Sequence, residues 1–164
     1  MAKKLNFPVV PLTEVSMKDT VVHIGSRLPL VLVVDDERVI ADTLTTILSR
    51  SGFDAITAYD GESALALAKA NPPDLLISDV VMPGMTGVDL AIALTHAIRT
   101  CKVLLFSGQA ATVDLLEKAR ESGHDFTTLS KPVHPTDMLR RIRECLPFSD
   151  AMLEHHSNLS TAMA

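Results

Sequence analysis

The sequence predicts an α/β fold in which a doubly wound, five-stranded parallel sheet is covered by helices on both faces. Three observations support it. Short apolar runs alternate with amphipathic helical stretches five times within residues 30–147, and such alternation with short connections is typical of parallel sheets with right-handed crossovers. Most of the runs are apolar without a break, as strands buried on both faces are. Glycine or proline stands at many of the boundaries, where these residues end helices and form turns.

The first elements are clearly patterned. Residues 30–34 are Leu-Val-Leu-Val-Val, an apolar run that two acidic residues end. Apolar residues then recur on one helical stripe at positions 40, 44, 47 and 48. Ser51-Gly52 closes this helix, because glycine readily adopts the backbone conformation found after helix ends. A strand is predicted from Phe53 to Ala58, and a turn at Asp60-Gly61.

The later elements repeat the pattern. Asn71-Pro72-Pro73 must end the second helix, because proline and the residue before it are disfavoured in a helix. Further strands are predicted at residues 75–77, which lead to Asp79, at 103–106 and at 126–129. Further helices are predicted from the apolar positions 64, 65 and 68; 90, 94 and 98; 113, 116 and 119; and 138, 139, 142 and 146.

Composition excludes several classes of protein. The 164 residues are 47% hydrophobic and 21% charged, which supports a packed core and excludes a disordered chain. Only 4% are aromatic, so a ligand site built on aromatic stacking is not expected. A net charge of −5 argues against direct nucleic-acid binding, which favours basic domains. We find neither a signal peptide nor a membrane-spanning apolar stretch, and expect a cytoplasmic protein without membrane contact.

The predicted domain occupies residues 30–147. Residues 1–29 are expected to form an N-terminal extension, and residues 148–164 a short polar tail that is too short for a second domain. Cys101 and Cys145 have no metal-binding spacing, and we expect two reduced thiols, although a disulfide between them is an alternative.

Polar side chains follow four of the predicted strands. They are Asp35-Asp36, Asp79, Ser107 and Lys131. In an open parallel sheet the carboxyl ends of the strands meet at the edge where ligands bind, so we expect these residues to converge. Three neighbouring carboxylates repel each other unless a cation lies among them, and oxygen ligands favour Mg²⁺. Taken singly, Asp35-Asp36 could instead cap a helix, and Asp79 could be a turn residue.

Four segments carry a resemblance to a known family. They are VVDDE (33–37), SDVVMPGMTG (78–87), FSG (106–108) and SKP (130–132). In order and spacing they resemble the receiver domain of two-component response regulators, over residues 30–147. The resemblance implies a flavodoxin-like fold and a stand-alone receiver similar to chemotaxis regulators. It also implies that Asp79 accepts a phosphoryl group from a sensor histidine kinase or a phosphotransfer protein.

The resemblance assigns further roles. It implies that Asp36 binds Mg²⁺ directly, that Asp35 does so largely through water, and that Asp79 and the main-chain carbonyl of Val81 complete the protein ligands. Ser107 would hydrogen-bond the phosphoryl group. Lys131 would pair with it, and the following Pro132 peptide would be cis.

Three positions bear on the output switch of the family and on hydrolysis of its aspartyl phosphate. Thr128 stands where the family commonly has the aromatic ring of its output switch, which places that switch in question. Val81 and Gln109 stand at the two positions that flank the water which hydrolyses the aspartyl phosphate. Neither can take a proton from that water, so we expect slow hydrolysis.

Other functions remain alternatives. One is an interaction module with the receiver fold that acts without phosphorylation. A phosphohydrolase of the haloacid dehalogenase type would need DxDx(T/V) after the first strand, and a nucleotide-binding domain a glycine-rich loop; VVDDERVI supplies neither. We therefore expect a chain that catalyses at most its own phosphorylation and dephosphorylation. It would signal by contact with an unknown downstream protein, with a homodimer as a further possibility.

Overall fold

The computed structural model describes residues 27–108 and 111–146. Five strands alternate with five helices in this range. The elements are β1 (Leu30–Val34), α1 (Arg38–Arg50), β2 (Asp54–Ala58), α2 (Gly61–Ala70), β3 (Leu75–Asp79), α3 (Gly87–Ala97), β4 (Lys102–Ser107), α4 (Ala111–Glu121), β5 (Thr127–Ser130) and α5 (Pro135–Cys145). All strand pairs are parallel, in the order β2-β1-β3-β4-β5. This is the flavodoxin-like order, and the predicted fold is confirmed.

The hydrophobic core has two layers, one on each face of the sheet. Alternate residues of the central strands, such as Leu32, Leu76 and Leu105, pack with α2, α3 and α4. The residues between them, such as Val33 and Ile77, pack with α1 and α5. The unbroken apolar runs follow from this arrangement, because both faces of β1, β3 and β4 are buried.

Three predicted boundaries differ from the structure. The second strand begins at Asp54 instead of Phe53. Asp60 is not a turn residue but the N-cap of α2, where its carboxylate accepts a hydrogen bond from the Ser63 main-chain N–H at 2.7 Å. Asp-Gly suits a turn and a helix start equally well, so the sequence does not separate the two. Phe126 precedes β5 instead of opening it, and its ring stacks on His124.

The amino-terminal edge of the sheet is pinned by Asp74. Its carboxylate accepts a bidentate ion pair from Arg27, at 2.8 and 2.9 Å, and a hydrogen bond from the main-chain N–H of Leu30 at 2.8 Å. The remainder of the expected N-terminal extension and the tail 148–164 lie outside the described residues. Within residues 27–108 and 111–146, none of the helices has the length and apolar character needed to cross a bilayer.

Candidate functional site

The predicted polar residues meet at the carboxyl edge of the sheet. Asp35 and Asp36 follow β1, Asp79 ends β3, Ser107 ends β4, and Lys131 follows β5. These four strands are consecutive neighbours in the sheet, so short connections are enough to bring their ends together. The convergence that the sequence predicts is confirmed.

Three carboxylates form the centre of the site. One oxygen from each of Asp35, Asp36 and Asp79 lies within 4.8 Å of the others. Asp35 is buried, Asp79 is half-buried and Asp36 is exposed, so the cluster is open on one side. A donor set of carboxylate oxygens with solvent access fits a hard divalent cation such as Mg²⁺, which retains several water ligands. The ligand role of the Val81 carbonyl stays a prediction.

The ammonium group of Lys131 lies between two of these carboxylates. Its Nζ is 2.9 Å from Oδ2 of Asp79 and 3.2 Å from Oδ2 of Asp35. Burial by itself would lower the pKa of Lys131, but hydrogen bonds and charge attraction from Asp79 and Asp35 outweigh it and raise the pKa. The other oxygen of Asp35 accepts a hydrogen bond from the main-chain N–H of Glu37 at 2.9 Å.

The backbone ties Ser107 to Lys131. The main-chain N–H of Lys131 donates to the carbonyl of Ser107 at 2.8 Å, and the side chain of Ser107 is half-buried. A Cβ at Gly108 would lie 3.3 Å from Cβ of Lys131. Because glycine has no side chain, the aliphatic part of Lys131 can pack closely against the backbone here. The Lys131–Pro132 peptide is cis, as expected.

Two positions that the sequence analysis compares with the family, Val81 and Thr128, lie on the surface. Val81 is 41% exposed. Thr128 is exposed on β5, and its equivalence to the aromatic position of the family stays a prediction. Gln109 lies outside the described residues.

The sequence analysis missed a polar cluster next to the site. The hydroxyl of Tyr59 donates to Oδ1 of Asp42 at 2.8 Å, which raises the pKa of Tyr59, and the guanidinium carbon of Arg38 lies 4.1 Å from the centre of its ring. Arg38 and Asp42 are four residues apart and therefore share one face of α1. The four-residue spacing could have indicated that Arg38 and Asp42 act together. It does not indicate that Tyr59, after β2, is their common partner.

Both cysteines are free thiols at the opposite edge of the sheet. They line a cleft of about 500 Å³ together with Thr95, Lys102, Phe126 and Arg141, among others. This cleft is separate from the acidic site, since it lies where β4 and β5 begin.

Comparison with known proteins identifies the family. Residues 31–143 match the response regulator receiver domain. The chain is 32% identical over 120 residues to the DNA-binding response regulator MtrA of Mycobacterium tuberculosis, which covers 73% of this chain and 51% of that protein. It is 33% identical over 120 residues to PhoP of Bacillus subtilis, the alkaline phosphatase synthesis transcriptional regulatory protein, with coverages of 73% and 49%. The chain thus spans about half the length of these curated relatives.

Solved structures agree with the sequence relatives. The chemotaxis protein CheY4 of Vibrio cholerae superposes with a TM-score of 0.66 at 29% identity, covering 73% of this chain and all of that one. The family match over residues 31–143 includes the strand ends that carry the acidic cluster and the lysine. The chain belongs to the response regulator receiver domain family.

Proposed function

We propose that this chain is a phospho-accepting receiver of a two-component or phosphorelay system and that Asp79 is the acceptor. The supporting observation is the contact between Lys131 and Asp79 within a cluster of three carboxylates. A carboxylate is a weak nucleophile and repels an incoming phosphoryl group, so the site must supply positive charge to both. Lys131 provides one such charge.

In the proposed reaction an Asp79 carboxylate oxygen attacks the phosphorus of a phosphohistidine on a sensor histidine kinase or a phosphotransfer protein. The new P–O bond replaces the P–N bond, and the imidazole nitrogen of the donor leaves with the bonding electron pair. Lys131 pairs with the transferred phosphoryl group, and the Ser107 hydroxyl donates a hydrogen bond to it. Asp35, Asp36, Asp79 and the Val81 carbonyl would hold Mg²⁺, which when bound neutralises phosphoryl oxygen charge.

The phosphorylated site would act through a further protein. MtrA is named as a DNA-binding response regulator and PhoP as a transcriptional regulatory protein. This chain matches about half of each, and we propose that it signals by contact with a downstream protein. Response regulators act in the cytoplasm, and we place this chain there as well.

The test is incubation with acetyl phosphate and Mg²⁺, followed by intact-mass measurement. We expect one added phosphoryl group on the wild type and none on Asp79→Asn. Asp54→Asn is the matched control, because Asp54 is an exposed acid at the amino-terminal end of β2, and it should be labelled like the wild type. A wild type that stays unlabelled would refute the proposal and favour an interaction module that acts without phosphorylation.

A further inference from the structure

The main chain that follows the Asp79 side chain is held by hydrogen bonds. The N–H of Val80 donates to the carbonyl of Phe106 on β4 at 3.0 Å, and the carbonyl of Val80 accepts from the N–H of Gly87 at 2.9 Å. In the same peptide group as the Val80 N–H, the carbonyl of Asp79 accepts a hydrogen bond from the hydroxyl of Ser78 at 2.9 Å. The peptide groups that lead from Asp79 towards Val81 therefore have fixed orientations.

Ser78 is an unusual residue for its surroundings. It is fully buried in β3, after Leu75, Leu76 and Ile77, which are also fully buried or nearly so. A buried hydroxyl is costly unless it is hydrogen-bonded. Its hydroxyl donates a hydrogen bond to the main-chain carbonyl of Asp79, the proposed phosphoryl acceptor. This hydrogen bond compensates for the burial of the hydroxyl.

Gly87 encloses this hydrogen bond. It is the first residue of α3, and a Cβ built on it would overlap the carbonyl oxygen of Asp79 and lie 2.8 Å from Oγ of Ser78. The start of α3 thus lies directly against the backbone of the acceptor. Little space is left between Gly87 and the Asp79 carbonyl. The close packing and the hydrogen bond from the Ser78 hydroxyl together restrain the tilt of the Asp79–Val80 peptide.

We propose that Ser78 is a positioning residue: by orienting the Asp79–Val80 peptide, it sets the direction of the Val81 carbonyl relative to the three carboxylates. This rests on the proposed function, in which that carbonyl helps to hold the cation. Removal of the hydroxyl takes away one of the hydrogen bonds that hold the Asp79–Val80 peptide, so the chain that follows is oriented less firmly towards the three carboxylates. Residues that orient metal ligands without touching the metal commonly change its affinity by about 10- to 100-fold.

The test compares Ser78→Ala with Thr57→Val. The control removes a hydrogen bond of 2.6 Å between the hydroxyls of Thr45 and Thr57, on α1 and β2, outside the acidic site. Mn²⁺ is the probe, its affinity measured by electron paramagnetic resonance, and thermal midpoints are recorded in parallel. We expect both variants to lose some thermal stability, whereas only Ser78→Ala should bind Mn²⁺ about 10-fold more weakly.

Acetyl phosphate labelling gives an independent readout. Ser78→Ala should be labelled slowly at low Mg²⁺ and near the wild-type rate at saturating Mg²⁺, because the defect is one of metal binding. Equal Mn²⁺ affinity in Ser78→Ala and Thr57→Val would show that Ser78 is merely structural. If Ser78→Ala does not fold, Ser78→Cys, a weak donor of similar shape, replaces it, and wild-type affinity in that variant would overturn the role. A wild type that neither binds Mn²⁺ nor is labelled would instead refute the proposed function itself.

Discussion

The ammonium nitrogen of Lys131 lies 2.9 Å from Oδ2 of Asp79. The same ammonium reaches Asp35 at 3.2 Å, so one side chain that follows β5 links the ends of β3 and β1. Without a metal ion, this cation offsets part of the repulsion among three carboxylates.

Lys131→Met should destabilise the metal-free protein. The ion pairs of Lys131 with Asp35 and Asp79 are only partly exposed. Removal of the ammonium group leaves the two carboxylates without a nearby positive charge, at a cost of about 1–3 kcal/mol in the free energy of unfolding. Urea denaturation at pH 7 with and without Mg²⁺ measures this, and Mg²⁺ should restore much of the loss. A variant as stable as the wild type without metal would contradict it.

The same pair predicts a pH dependence. Because the pKa of Lys131 is raised on folding, its contribution is fully present below the ordinary lysine pKa of about 10.4 and is lost as the pH rises through the folded value. The stability difference between wild type and Lys131→Met should therefore be constant from pH 7 to 9 and shrink in more alkaline buffer. A difference that already disappears near pH 8 would contradict the assignment.

Asp36→Ala should weaken Mg²⁺ binding and block phosphorylation without unfolding the domain. Asp36 is exposed and belongs to a crowded acidic cluster, so its removal relieves repulsion and should leave the thermal midpoint unchanged or slightly higher. Calorimetric Mg²⁺ titration, acetyl phosphate labelling and thermal denaturation measure the three effects. Normal phosphorylation in this variant would refute the metal-ligand role of Asp36.

Val81→Asn should accelerate loss of the phosphoryl group from Asp79. Val81 is 41% exposed, and its branched apolar side chain cannot orient an attacking water. One positioning interaction of about 1–2 kcal/mol changes a rate roughly 5- to 30-fold, and the combination with Gln109→Glu should show the larger effect. Single-turnover decay in Mg²⁺ measures it, and equal half-lives for wild type and the double variant would show that these side chains do not govern the water.

Phosphorylation should alter the segment from Ser107 to Gln109 more than any side chain of β5. Thr128 is small and exposed, so β5 offers no ring at this position to follow Ser107 inwards. Amide hydrogen exchange with and without a phosphoryl mimic measures this. Changes confined to the vicinity of Thr128 would contradict it.

Cys101 should resist alkylation in the folded protein. Burial raises the pKa of its thiol to about 12, so at pH 8 its thiolate fraction is about 1000-fold below that of an ordinary thiol. Iodoacetamide labelling followed by peptide mass analysis should modify Cys145 first, and urea should make the two rates similar. Rapid labelling of Cys101 in the folded chain would refute this.

The sequence was sufficient for the architecture and for the main residues of the site. Apolar runs mark the buried strands, and a parallel sheet necessarily brings their carboxyl ends together, which places Asp35, Asp36 and Asp79 side by side. The position of β5 was harder to predict, because Thr127–Ser130 is largely exposed and lacks an apolar pattern.

The contacts within the site could not be derived from pattern. Gly87 lies in a recognised motif, but its approach to the Asp79 carbonyl depends on how closely α3 packs against β3. Likewise, the partner of the Ser78 hydroxyl depends on the local backbone. Such contacts depend on tertiary packing, whereas residue periodicity predicts only the elements and their buried faces.

Asp74 has a consequence for the distant end of the sheet. A strand such as β1 that is apolar on both faces would remain apolar if it slid by one residue along β3, so hydrophobicity alone specifies its register weakly. The bonds from Asp74 to Leu30 and Arg27 distinguish between these alignments. A slip of one position would move Asp35 and Asp36 by about 3.3 Å relative to Asp79 and dismantle the acidic cluster. The exposed ion pair at the amino-terminal edge therefore helps to fix the strand register that brings the acidic residues together at the carboxyl edge.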